Sequence, residues 1–122
     1  MSREIKFRAW NEKTKTMQFD TYSHKNDIGI NASWIYEQFT GLKDRNGEEI
    51  YEGDIVGGVL YKDYSEHIGQ IVFDYNCYMI ATKDKSMPLD LTEKLFIIGN
   101  IHENKYLLAD QINKISEIEG GF

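Results

Sequence analysis

A chain of 122 residues with ordinary apolar content suits one domain that buries roughly two-thirds of its unfolded surface, and disorder is not expected. Its net charge of −6 argues against duplex nucleic acid as a partner, because phosphate binding needs clustered Lys and Arg. A single cysteine, Cys77, excludes an internal disulfide, and no apolar run approaches the roughly 20 residues that span a bilayer.

Charged residues interrupt every apolar run near the N-terminus, so no signal peptide is expected and the predicted setting is the cytoplasm. Eight Tyr and six Phe among many Ile favour strands. Ile5, Phe7 and Ala9 alternate with Lys6, Arg8 and Trp10, which predicts a half-buried first strand with Arg8 and Trp10 on its outer face. Arg3, Lys6, Arg8, Lys13 and Lys15 then make a small basic corner on an acidic protein. Residues 11–16 read as a loose hairpin tip, and residues 17–19 as the return strand. The signal fades over residues 20–33. Strand character resumes over residues 34–40, where Trp34 opens a segment with neither face cleanly polar.

The stretch FTGLKDRNGEEIYEGDIV, residues 39–56, carries two reversals. Asn46-Gly47 is a strong hairpin signal, since both residue types accept positive φ at low cost. Gly53-Asp54 supplies the second reversal: Gly gives backbone freedom, and Asp can bond amides that the sheet has not yet paired. Asn46, Gly47, Gly53 and Asp54 are therefore the expected fold-defining turns. The acidic residues around them, Glu48, Glu49, Glu52 and Asp54, read as solvated hairpin charges.

Beyond it, Gly57-Gly58 predicts a bend or bulge in the strand begun by Ile55-Val56. Residues 62–67 read as a charged tip, residues 70–73 and 77–82 as a hairpin joined by Asp74-Tyr75-Asn76, and residues 83–91, with Pro88, as a loop. The apolar run of residues 95–101 reads as a central strand covered on both sides. Leu108, Ile112, Ile115 and Ile118 recur at helical spacing, with Asp110 as an N-cap and Gly120-Gly121 as the stop. The expected organisation is a β domain over residues 1–108 and a helical tail over residues 109–122.

Little in the sequence points to catalysis. His24, His67 and His102 are isolated, without metal-ligand spacing, and Cys77 has no second Cys or adjacent His, so neither a metal site nor a nucleophile is assigned. Cys77 reads as a half-buried strand thiol. No phosphate-cradling Gly motif occurs, and no cofactor is expected. The surplus of aromatics is compatible with core packing, subunit contact or a binding surface, whose candidates are Arg8, Trp10, Trp34, Ile112, Ile115 and Ile118.

Three ordered segments, REIKFRAW at residues 3–10, QFTGLKDRNGEEIYEGDIV at residues 38–56 and IIGNIHEN at residues 97–104, resemble the YopX-like family of phage and prophage proteins. The resemblance extends to Leu107-Leu108; where the family pattern continues with Asn-Pro, this sequence has Asn104-Lys105. It implies an all-β, mainly antiparallel domain with an SH3-like barrel element, and no catalytic or ligand residues. The resulting expectation is a non-enzymatic binding or assembly module acting as a homo-oligomer, with room for an unidentified protein partner. The alternative is a single-stranded nucleic-acid accessory protein using Arg8 and Trp10.

Overall fold

The computed structural model describes residues 5–21, 33–74, 76–89 and 94–108. Within them the chain builds two antiparallel sheets. The first contains β1 (Phe7–Asn11), β2 (Thr16–Thr21), β3 (Trp34–Lys43) and β4 (Glu49–Tyr51), in the order β2-β1-β3-β4. The second contains β5 (Asp54–Leu60), β6 (Glu66–Asp74), β7 (Cys77–Ala81), β8 (Ser86–Pro88) and β9 (Phe96–Asn100), in the order β8-β7-β6-β5-β9. The fold includes a curled half-barrel sheet, in keeping with the all-β, mainly antiparallel expectation. Ile50 enters from the first sheet and packs with Val56, Val59, Ile71, Ile80, Leu89 and Leu95 to form the apolar core.

The first reversal is a three-residue hairpin loop. Gly47 N–H donates to the Asp44 carbonyl at 3.0 Å, and Asp44 N–H donates to the Glu48 carbonyl at 2.8 Å. Gly47 has a φ of 82°, whereas the positive-φ non-glycine residues among those described are Lys15, Tyr64 and Asn76. Asn46 therefore does not use left-handed backbone. In this loop type only the last residue enters that region, so Gly47 alone carries the geometry. The expected bulge near Gly57-Gly58 is present, with a register shift against β6 between Val56 and Val59.

Several sequence expectations change. The first strand is buried on both faces: Lys6, Arg8 and Trp10, expected on its outer face, are buried along with Ala9, while Ile5, just ahead of it, is 63% exposed. The apolar run of residues 95–101 gives an edge strand, β9, with β5 as its strand neighbour and half-buried side chains, not a central one covered on both faces. β6 begins at Glu66, inside the expected charged tip, and the residue 83–91 loop contains the short edge strand β8. Cys77 is exposed. Helical backbone appears at residues 106–108, ahead of the expected cap at Asp110. Asp110, Ile112, Ile115, Ile118 and Gly120-Gly121 lie outside the described residues, as do His24 and most of the faded stretch.

Candidate functional site: a buried charge seam

β4 passes into β5 through Glu52 and Gly53, and these two residues join the sheets. Glu52 N–H donates to the Gln38 carbonyl of β3 at 3.1 Å, on the first sheet. Gly53 N–H donates to the Ile71 carbonyl of β6 at 2.8 Å, and the Gly53 carbonyl accepts from Ile101 N–H at 2.9 Å, on the second. A connector bonded to both sheets has no freedom to relax. Gly53 has a φ of 85°, and a Cβ there would lie 2.1 Å from Glu37 Oε2, so glycine is needed for both conformation and space.

Arg8 reaches this corner from β1. Its Nε donates to Glu37 Oε1 at 2.8 Å, Nη1 to Asp54 Oδ1 at 2.7 Å and Nη2 to the Glu52 carbonyl at 3.0 Å. Arg8 is 3% exposed, Glu37 6% and Asp54 2%. A guanidinium suits this position because its planar fork can serve several acceptors at once, which a lysine cannot. The second oxygens are engaged as well: Asp54 Oδ2 accepts from Tyr51 N–H at 2.8 Å, and Glu37 Oε2 lies 2.9 Å from His102 Nε2. The His102 ring stacks on Trp10, centroids 5.2 Å apart and planes 12° apart, and Arg8 sits 5.1 Å over the Tyr51 ring. Burial pushes the Asp54 carboxyl above the usual carboxylate range, with the Arg8 guanidinium opposing.

The seam thus gathers Arg8 and Trp10 from the first resemblance segment, Gly53 and Asp54 from the second and His102 from the third. Asp44 forms a second latch: Oδ1 accepts from Asn46 N–H and Glu48 N–H at 2.8 and 2.9 Å, and Oδ2 accepts from Ile97 N–H of β9 at 2.9 Å. Of the four expected turn residues, Gly47 and Gly53 hold left-handed backbone and Asn46 donates its N–H to the Asp44 latch. Asp54 has a larger role than a turn. Reading it as a solvated charge is corrected, because it lies at the centre of the seam. Glu49 pairs with buried Lys6 at 2.5 Å, and Glu52 Oε1 accepts from Gln38 N–H at 3.0 Å.

Among the proposed surface residues, Arg8 and Trp10 are correspondingly not available to a ligand as an exposed basic corner. Trp34 is half-buried at the start of β3. Sequence reasoning did not find Glu37, Asp44 or His102. The one usable signal was His102 inside the distinctive IIGNIHEN phrase; Glu37 had none. The seam opens to solvent at a cleft of about 460 Å³, lined by Trp10, Ile35, Gln70, Ile101 and His102, with Glu12, Lys15 and Lys105 at its margin. Among the described residues no group of three His, Cys, Asp or Glu side chains is arranged to hold a metal ion, and no helix is long and apolar enough to cross a membrane.

The family model described as YopX protein matches residues 21–109, a range that includes Glu37, Asp54 and His102 and leaves out Arg8. Among solved structures, the crystal structure of protein EF1440 from Enterococcus faecalis is similar, with a TM-score of 0.60 and 24% sequence identity. That likeness covers 88% of this chain and 99% of the other, and at this identity it is a likeness of fold. Comparison with curated proteins returned no match.

Proposed function

The chain belongs to the YopX protein family, and we propose that it is a non-enzymatic binding or assembly module that acts as a homo-oligomer. In this reading it is encoded by a phage or prophage and works in the cytoplasm of the bacterial host. The observation that carries the proposal is the state of the buried charges. Both oxygens of Glu37, both oxygens of Asp54 and three nitrogens of Arg8 already have partners within the chain. Groups engaged in this way hold structure; a general acid or base must be able to reach a substrate proton.

The exposed side chains supply the other half of the reading. Phe19, Phe73, Tyr64 and Tyr106 are all more than half exposed, and aromatic anchors of this kind favour protein contacts. Sedimentation velocity across the micromolar range tests the claim. A dimer or larger species is expected, and replacing Phe73 with Ser or removing residues 109–122 should shift the distribution toward monomer. A chain that stays monomeric throughout would overturn self-association.

A further inference from the structure

The cleft beside the seam is built by both sheets. β1 and β3 line one side, with Trp10 and Ile35, while β6 and the segment after β9 line the other, with Gln70 and Ile101. At about 460 Å³ it has the volume of a small-molecule site, and such sites are mostly apolar with a few placed polar groups. We propose that this cleft binds a small organic anion, with a flat apolar body inside and an acidic group at the mouth.

The inner wall is the stacked pair of Trp10 and His102, both side chains nearly buried. It is preformed: the rings hold each other, and His102 Nε2 is committed to Glu37 Oε2, so a ligand has little to order on binding. Ile35, Ile101 and Leu108 add aliphatic surface, which suits a flat ring. Gln70 supplies the polar group within. Among the described residues its side-chain amide makes no hydrogen bond, so both its donors and its acceptor remain for a ligand.

Lys15 and Lys105 stand exposed at the mouth with Glu12. Among the described residues neither ammonium has a carboxylate at ion-pair distance. Two unspent cations against one carboxylate make a positive spot on a chain of net charge −6, and a spot of that sign draws anions. Lys15 is also fixed by its backbone. Its φ is 60°, its N–H donates to the Asn11 carbonyl at 2.8 Å, and Asn11 Oδ1 accepts from Lys13 N–H and Thr14 N–H. Glycine or asparagine holds left-handed backbone at lower cost, so the turn itself gives no reason for a lysine. A side chain aimed at an anion does. The Glu37 carboxylate behind the inner wall repels negative charge there, which places the acidic group outside with the lysines and the ring inside.

The proposal is separate from self-association, since one copy of the chain contains the whole cleft. Titrating the full chain with naphthoate, followed by its indole N–H resonances, tests it, and Trp34→Phe assigns the two indoles. The Trp10 signal should shift saturably, with a Kd of about 1 mM or tighter, the range for a ligand of this size. Uncharged naphthamide should bind about tenfold more weakly, and Lys15→Gln/Lys105→Gln should weaken naphthoate about tenfold while leaving naphthamide unchanged. Both substitutions are at exposed positions, where the fold tolerates them. A Trp10 signal that does not move, equal affinities for acid and amide, or wild-type naphthoate affinity in the double variant would each overturn the proposal.

Discussion

At Gly47 and Gly53 one residue type answers two different demands. Each has positive φ, but a Cβ at Gly47 meets nothing within 4 Å, whereas at Gly53 it would strike the Glu37 carboxylate. Gly47→Ala should therefore cost only the left-handed backbone penalty, about 1–2 kcal/mol. Gly53→Ala should cost more than twice that, since it also pushes Glu37 away from Arg8 and His102. Urea midpoints for the two variants would separate these cases, and equal losses would show that space at Gly53 is unimportant. This difference was not readable in the sequence. Both glycines announce a turn, but the occupant of the space over Gly53 comes from a residue that is remote in sequence.

Among the elements, the edges of the second sheet show how side chains complete what strands leave open. β9 lies at one edge, and its outward amides are bonded by side chains: Ile97 N–H by Asp44 Oδ2, and Asn100 N–H by Asn104 Oδ1 at 3.2 Å. β8, at the other edge, is three residues long and ends in Pro88. Both devices obstruct edge-to-edge pairing. Asp44→Ala should leave the amides of Asn46, Glu48 and Ile97 without this acceptor. A destabilisation of roughly 1–3 kcal/mol is expected, with faster amide exchange at Ile97 than at core positions of β5. Protection at Ile97 equal to wild type would contradict the latch. The reversal at residues 44–48, which holds the Asp44 latch, was legible because turn chemistry is local. The edge position of β9 was not, because an apolar run reads the same whether strands or side chains cover it.

On the scale of the molecule, the first strand, buried on both faces, shows where alternation fails and why. A period-2 pattern assigns charged residues outward, yet Arg8 and Lys6 point inward because their partners were brought to them by folding. For Arg8 those partners are Glu37 and Asp54, 29 and 46 residues away in sequence. Composition, turn chemistry and the family resemblance thus gave the β class and its reversals, while the seam existed only in three dimensions. The segments that resemble the family converge on it, and so the distinctive residues are explained as the joint between two sheets.

That claim makes a quantitative demand on Arg8 and Asp54. Removing Arg8 alone leaves two buried carboxylates, Glu37 and Asp54, unmatched and should cost roughly 3–5 kcal/mol, whereas removing Asp54 as well takes one of them away and relieves part of the penalty. The measurement is a double-mutant cycle by urea unfolding with Arg8→Met, Asp54→Leu and the pair together. The seam predicts that the double variant loses clearly less stability than the sum of the two single losses, by more than about 1 kcal/mol. Strict additivity would contradict it, because it would mean that the two charges fold independently and the sheets are held together by something else.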